Sequence, residues 1–196
     1  MPEGLTIARS ELILGGQKSG KSRRAEGLAS AWLVQSPQHR AVLIATAFAG
    51  DDEMHTRIAR HQQDRTARVP DLLTIEEPLA LAEAIAQHGN TQTLVLVDCL
   101  TLWLTNYLFP DENLDSNPPL AHELPAQAAT VLIAIENSPG PVVLVSNEIG
   151  LGIIPMGRST REFVDTLGRL NQEVAQVCER VTFMAAGLPL TLKGQP

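Results

Sequence analysis

The sequence predicts an α/β protein with a doubly wound, mostly parallel sheet of about seven strands and helices on both faces. Three observations lead to this fold class. Short, nearly continuous apolar runs, typical of strands covered on both faces, recur along the whole chain. Helical patterns, with apolar residues three or four positions apart, separate those runs. The 196 residues, 44% hydrophobic and 19% charged, also suit one ordinary globular domain, so we expect a single domain over residues 1–196.

The apolar runs define seven predicted strands. They cover residues 11–14, 41–46, 72–76, 94–98, 142–146, 181–186 and 189–193. Sheets of this kind bind ligands at the carboxyl ends of their strands. The residues that follow each run are therefore the candidates for a functional site.

Helical patterns lie between the predicted strands. They cover residues 22–36, 51–64 and 78–88, and a further helix begins near Leu100. The last helix is predicted to start with a capping box formed by Ser159 and Glu162. One apolar stripe follows it and contains Phe163, Leu167, Leu170, Val174, Cys178 and Val181. Residues 110–119, PDENLDSNPP, are predicted to be a polar loop.

Charge and composition exclude several functional classes. A net charge of -7 argues against general affinity for nucleic acid or anionic lipid. Two cysteines do not make a disulfide framework, and no signal peptide or membrane span is predicted, so we expect a cytoplasmic protein. Basic residues concentrate in residues 1–70, which carry ten Lys or Arg, whereas residues 71–140 carry none.

The basic region contains a phosphate-binding motif. The string GGQKSGKS fits G-x-x-x-x-G-K-[ST] and lies between a predicted strand and a predicted helix. Its residues are Gly15, Gly16, Gln17, Lys18, Ser19, Gly20, Lys21 and Ser22. Backbone N–H groups turn inward around phosphate oxygens, Lys21 reaches the β- and γ-phosphates, and Ser22 can ligate Mg²⁺. The alternative is a glycine-rich turn without a ligand. The motif predicts a P-loop NTPase of the RecA-like kind.

Asp98 is the predicted partner of this loop. It ends the apolar strand LVLVD, where a carboxylate can hold the water shell of Mg²⁺. The alternative is that Asp98 caps the helix that begins near Leu100.

Two further polar residues follow the strand over 142–146. No guanine-specifying N-K-x-D motif occurs there, and the chain reads SNEIGLGIIP. Asn147 and Glu148 could orient a substrate hydroxyl, sense a γ-phosphate or cap a turn.

The helix over 51–64 carries a candidate nucleophile. Met54, Ile58 and His61 share one helical face, so His61 could be a packed core residue. However, Arg57 and Arg60 flank it, and the helix follows a strand that ends at the phosphate edge. His61 could therefore attack an α-phosphate and form a phosphoramidate.

Taken together, these motifs resemble the bifunctional adenosylcobinamide kinase/adenosylcobinamide-phosphate guanylyltransferases of cobalamin biosynthesis. The resemblance covers nearly the whole chain. It rests on GGQKSGKS followed by RRAE, IATA, DDEM-x-x-RI-x-x-H, T-x-E at Thr74–Glu76, DCLTLWLTN at Asp98–Asn106, SNEIGLGIIP followed by R-x-x-R, and RLNQ. The chain departs from the family at Gln17 and Lys18, where a small residue and Arg are usual, and at Asp98, where some members have Glu.

The resemblance implies two reactions. A kinase step phosphorylates the aminopropanol hydroxyl of adenosylcobinamide with ATP or GTP, and a second step transfers GMP from GTP through a guanylylated histidine, His61. Ser22 and Asp98 already predict Mg²⁺, and the resemblance adds a symmetric homo-oligomer, such as a trimer or a multiple of one. Besides the P-loop, the nucleotide site would contain Thr46, Ala47, Phe48, Gln62, Gln63, Asp64, Arg65, Glu76 and Asp98.

Two other functions remain compatible with the residues alone. One is a P-loop kinase for a small hydroxyl substrate, in which His61 is a core residue. The other is a regulatory RecA-like ATPase that acts with a protein partner.

Overall fold

The computed structural model describes residues 5–48, 67–110, 121–153 and 156–195. The predicted helix over 51–64, and all but Pro110 of the predicted loop over 110–119, lie outside these residues. Within the described part of the chain, no helix is both long and apolar enough to cross a membrane.

One seven-stranded sheet organises the described residues. Its strands are β1 (Ser10–Gly15), β2 (Arg40–Ala45), β3 (Leu72–Glu76), β4 (Thr93–Asp98), β5 (Val142–Val145), β6 (Arg180–Ala185) and β7 (Leu188–Lys193). Their order is β3-β2-β4-β5-β1-β6-β7, and every neighbouring pair is parallel except β6 with β7. The predicted mostly parallel sheet of seven strands is confirmed.

Helices cover both faces of the sheet. They are α1 (Lys21–Leu33), α2 (Leu81–His88), α3 (Leu100–Leu108), α4 (Leu124–Asn137) and α5 (Arg158–Val177), with a short 3-10 turn at Ala121–Glu123. Helix α1 packs on one face with Ile13, Leu43 and Val143. The other helices cover the opposite face, where Trp103 is fully buried and donates its indole N–H to the Leu79 carbonyl.

The start of α5 corrects one sequence expectation. The predicted capping box of Ser159 and Glu162 is wrong, because the helix already begins at Arg158 and its N-cap is Gly157, with no side-chain cap. The Arg161 N–H instead bonds the Gly157 carbonyl at 3.1 Å. The stripe is confirmed within the helix, where Leu167, Leu170 and Val174 are buried. Its predicted end is wrong, because Cys178 is the C-cap of α5 and Val181 lies in β6.

Candidate functional site

The register of the parallel strands gathers the predicted site residues at one edge of the sheet. Ala45 lies opposite both Glu76 and Asp98, and Asp98 lies opposite Val145. The loop that follows β1 leaves the sheet at the same edge, since Ile13 also pairs with Val145. Parallel strands present their carboxyl ends together, so the phosphate loop and Asp98 belong to one site.

The phosphate loop has a backbone that requires glycine at two places. Gly15 has φ of 152° and Gly20 has φ of 102°, and Lys18 is a non-glycine residue with φ of 56°. A Cβ atom at Gly15 would lie 2.5 Å from the Met184 carbonyl oxygen, so any side chain there would force the backbone to move. These conformations turn the loop back on itself before α1 begins.

Neighbouring segments hold the loop in place. The Glu148 N–H donates to the Gly15 carbonyl at 3.1 Å, and the Gly187 N–H donates to the Ser19 carbonyl at 2.9 Å. Three separate parts of the chain therefore meet at the phosphate cradle. A preorganised cradle of this kind binds phosphate without a conformational penalty at the moment of reaction.

Lys21, the lysine of the motif, lies inside the loop. It is 8% exposed, and its Nζ donates to the Gly16 carbonyl at 2.7 Å. Burial lowers the pKa of Lys21, and the nearby Cys99 and Asp98 partly offset that effect. Ser22 follows it in α1 and is half-buried. The cradle thus combines a buried cation with a hydroxyl and a carboxylate.

Polar contacts fasten the ends of β2 and β4 together. The Thr46 N–H donates to the Asp98 carbonyl at 3.2 Å, and the Thr46 hydroxyl donates to the Cys99 carbonyl at 2.7 Å. Asn106 on α3 donates its side-chain N–H to the Thr46 carbonyl at 2.9 Å. Helix α3 has Cys99 as its N-cap and no side-chain cap, so the alternative role of Asp98 as a helix cap is wrong.

Asn147 is held through its backbone from two sides. Its N–H donates to the hydroxyl oxygen of Thr101 on α3 at 2.9 Å, and its carbonyl accepts the side-chain N–H of Asn171 on α5 at 3.0 Å. The side chain of its neighbour Glu148 accepts the Gly150 N–H at 3.0 Å. The turn-capping role that the sequence left open therefore applies to Glu148.

An ion-pair cluster anchors the helix that follows the loop. Glu11 on β1 is 1% exposed, receives the Arg24 Nε–H at 2.9 Å and accepts the Thr182 hydroxyl at 2.8 Å. Arg180 lies 3.5 Å from the other oxygen of Glu11. From the sequence, Glu11 was expected only to begin a strand. The sequence did contain a signal for this cluster: Glu11 is a charged residue in an otherwise apolar strand, and Arg24 lies in the RRAE segment that follows the P-loop.

The remaining predicted residues are only partly described. Ala47 and Phe48 follow Thr46 and are half-buried, and Glu76 is exposed at the end of β3. His61 and Gln62, Gln63, Asp64 and Arg65 lie outside the described residues, as do Arg57 and Arg60. Among the described residues, no group of three or more His, Cys, Asp or Glu side chains could hold a metal ion.

Solved structures with a similar fold share little sequence with the chain. A protein from Pyrococcus horikoshii matches with a TM-score of 0.57 at 10% identity, over 98% of this chain and 90% of that one. The flagellar accessory protein FlaH from Methanocaldococcus jannaschii matches with a TM-score of 0.51 at 11% identity, over 98% of this chain and 81% of that one. At such identities the likeness concerns the fold alone, and the expected RecA-like P-loop fold is confirmed.

Curated relatives match over almost their whole length. The bifunctional adenosylcobalamin biosynthesis protein CobP of Pseudomonas aeruginosa is 46% identical over 187 residues, which cover 95% of this chain and 98% of the relative. The CobU protein of Escherichia coli is 35% identical over 93% of this chain and 98% of the relative. The family model described as cobinamide kinase / cobinamide phosphate guanyltransferase matches residues 11–192. The chain therefore belongs to the cobinamide kinase / cobinamide phosphate guanyltransferase family.

Proposed function

We propose that the P-loop edge of the sheet carries both reactions of the family, with Lys21 serving the phosphates and His61 acting as the guanylyl carrier. The observation that carries the proposal is the phosphate loop, with its left-handed glycine at Gly20 and its buried Lys21 facing the end of β4. Both reactions act on nucleotide phosphates, so one cradle can serve them in turn.

The kinase step needs positioning and charge more than protein nucleophiles. The hydroxyl oxygen of adenosylcobinamide attacks the γ-phosphorus of ATP or GTP, the bond to the bridging oxygen breaks, and the nucleoside diphosphate leaves. The hydroxyl proton passes to solvent. Loop N–H groups and Lys21 stabilise the charge that spreads over the phosphate oxygens.

Ser22 and Asp98 are the proposed holders of Mg²⁺. Hydroxyl and carboxylate oxygens are ligands that this ion accepts, and two protein ligands suit an ion that keeps most of its water. When bound, the ion would neutralise charge on the nucleotide phosphates. Asp98 lies at the carboxyl end of β4, and only β5 separates β4 from β1, which carries the loop.

The guanylyl step needs a nucleophile on the protein. A ring nitrogen of His61 attacks the α-phosphorus of GTP, and pyrophosphate leaves. A phosphate oxygen of adenosylcobinamide phosphate then attacks the same phosphorus and releases His61, which yields adenosylcobinamide-GDP. Arg57 and Arg60, close to His61 in sequence, would neutralise the phosphate charge.

The rest of the proposed site follows from the family. Thr46, Ala47, Phe48, Gln62, Gln63, Asp64, Arg65 and Glu76 are proposed to contact the nucleotide. We also propose that the enzyme works as a homo-oligomer in the cytoplasm, with its sites near subunit interfaces.

Labelling with GTP that carries a radioactive α-phosphate tests the role of His61. Wild-type protein should retain label on a denaturing gel, and the adduct should be labile in acid and stable in alkali, as phosphoramidates are. His61→Ala should lose the label and guanylyl transfer while it keeps most of the kinase activity. His122→Ala, a substitution at an exposed histidine, is the matched control and should label normally.

Other outcomes separate the competing functions. Label on His61→Ala would transfer the role to another residue, with His55 the next candidate. A wild type that phosphorylates cobinamide but never becomes labelled would favour the plain P-loop kinase. Nucleotide hydrolysis without transfer to cobinamide would favour the regulatory ATPase.

A further inference from the structure

An open cavity of about 980 Å³ runs along α5 on the face of the sheet opposite α1. Its helical lining extends from Arg161 to Ala175, roughly 21 Å of helix. Val181 and Leu192 line it from the β6–β7 pair. Ligand pockets usually measure roughly 300 to 1,000 Å³, so this one suits a large ligand.

One end of the cavity reaches the phosphate loop. Leu14, which lines the cavity, directly precedes Gly15. Glu148 also lines it, and its backbone N–H is the one that bonds the Gly15 carbonyl. A ligand in the cavity can therefore extend an arm over the edge of the sheet toward the nucleotide phosphates.

A glycine inside α5 keeps the cavity wide. Gly168 lies in the middle of this 20-residue helix and lines the cavity. A Cβ atom at Gly168 would meet nothing within 4 Å, so no packing within the described chain requires glycine there. Glycine is the poorest helix former after proline. Glycine at this position would let a molecule in the cavity approach the helix backbone closely.

A buried acceptor atom points to the chemistry of that molecule. Asn171 lines the cavity and is 4% exposed. Its Nδ2 donates to Asn147, whereas its Oδ1 has no hydrogen-bond partner within the described residues. A buried amide oxygen without a partner is unfavourable, and an N–H donor from a ligand would satisfy it.

The charges of the lining favour an amide-bearing ligand over a second nucleotide. The lining contains three basic residues, Arg161, Arg169 and Lys193, and two acidic residues, Glu148 and Asp165, so its charges nearly balance. A nearly balanced lining gives a polyphosphate little net attraction, whereas amide side chains can donate to the carboxylates and accept from the basic groups.

We propose that this cavity binds the corrinoid ring of the acceptor, which places its aminopropanol arm at the phosphate loop. The inference rests on the proposed function, because the family's substrate supplies the chemistry. A corrinoid is a large macrocycle with apolar edges and several primary amide side chains. Leu14, Val164 and Val181 would contact its apolar edges, and Asn171 Oδ1 would accept from one of its amides.

The test is a series of substitutions that fill the cavity from Gly168. Cobinamide binding to the full chain is measured by equilibrium dialysis, and the kinase KM for cobinamide is measured alongside ATP affinity. Gly168→Trp should weaken cobinamide binding and raise its KM at least tenfold, with ATP affinity within twofold of wild type. Gly168→Leu should weaken cobinamide binding less than Gly168→Trp does. If the tryptophan variant does not fold, cobinamide binding by the leucine variant is the test.

Glu173→Trp is the matched control, because Glu173 is exposed on the same helix and does not line the cavity. It should bind cobinamide as wild type does. Unchanged cobinamide binding in Gly168→Trp and Gly168→Leu would overturn the proposal. If, in addition, light scattering shows a lower mass for the Gly168 variants than for wild type, the cavity is an interface with a second copy of the chain.

The two proposals fail in different ways. If wild type binds cobinamide in a Gly168-dependent manner but transfers no phosphate to it, the cavity stands and the proposed function fails. If wild type phosphorylates cobinamide and the Gly168 substitutions leave the KM for cobinamide unchanged, the proposed function stands and the proposed corrinoid site is wrong.

Discussion

The phosphate loop and the cavity along α5 are each built around a glycine, for opposite reasons. At Gly15 a side chain would collide with the Met184 carbonyl oxygen at 2.5 Å, whereas at Gly168 it would meet nothing within 4 Å. The first glycine is required by the fold of the chain itself, and the second is required by nothing that the described residues contain.

This difference shows how the two binding regions are specified. The loop recognises phosphate through backbone groups, whose positions are set by φ angles and by contacts with Glu148 and Gly187. The cavity presents side chains on a regular helix, so its shape and chemistry can change without any change of fold. Substitutions in the loop should therefore affect folding and catalysis together, whereas those in the cavity should affect them separately.

The largest expected effect is at Lys21. Lys21→Ala should reduce both kinase and guanylyl transfer about a thousandfold, because it removes the buried cation that faces the phosphates. Steady-state rates with cobinamide and with its phosphate measure the two activities. Arg23→Ala, at an exposed residue on the same helix, should remain within threefold of wild type. Near-normal turnover in Lys21→Ala would contradict a shared phosphate cradle.

Gly15 and Gly16, two of the three glycines of the loop, should differ in their effect on stability. Gly15→Ala should lower the free energy of unfolding by about 3 kcal/mol, because its Cβ collides with backbone and its φ is left-handed. Gly16→Ala should stay within about 1 kcal/mol, since a Cβ there meets nothing within 4 Å. Urea denaturation compares the two variants. Equal losses would show that the collision at Gly15 is relieved by relaxation.

The cavity glycine should respond in the opposite direction. Gly168→Ala should raise the free energy of unfolding by about 1 kcal/mol, because alanine favours the helix and the added methyl group has free space. The same denaturation experiment checks it. A loss of stability would mean that residues outside the described part of the chain occupy that space.

The smallest effect concerns the two buried cysteines, Cys99 and Cys178. Burial raises the pKa of Cys99, next to the phosphate edge, to about 11, and that of Cys178, at the foot of α5, to about 12. Thiolates are the reactive form, so neither should react with iodoacetamide at about pH 7.5 in the native state, and both should react in urea. Mass spectrometry counts the modified thiols.

The same shifts predict an alkaline loss of stability. An unfolded thiol releases its proton near its ordinary pKa of 9.0, below the folded values, so unfolding releases protons in this range. The free energy of unfolding should therefore fall as the pH rises from about 9 through about 11. Lys21 contributes in the opposite sense, because its folded pKa is lowered. Cys178→Ala should reduce the slope of the fall.

The sequence predicted the five inner strands well because both faces of the sheet are covered there. Strands β1, β2, β4, β5 and β6 are largely buried apolar runs, which are readable without partners. The edge strands β3 and β7 were also located, although most of their side chains are half-buried or exposed. Helix α4 was not anticipated. Its apolar residues lie on all sides of the helix instead of forming one stripe, and Ile133 is 55% exposed. The sequence therefore lacks the 3.6-residue hydrophobic period that would identify a helix.

The site was predictable where it is local and not where it depends on distant partners. The P-loop is eight consecutive residues with a fixed chemistry, so the string alone identified it. The fixation of Asn147 depends on Thr101 and Asn171, which are 46 and 24 residues away along the chain. Periodicity carries no information about such pairs.

The position of β1 in the sheet has a consequence for synthesis of the protein. This strand leaves the ribosome early, yet both of its neighbours, β5 and β6, begin only at residues 142 and 180. The Gly187 N–H, which donates a hydrogen bond to the Ser19 carbonyl, is synthesised later still. A growing chain therefore carries an unpaired central strand through most of its translation, a state that exposes apolar side chains to chaperones and to aggregation. The hydrogen bonds that hold the phosphate loop are therefore complete only after the β6–β7 hairpin has emerged.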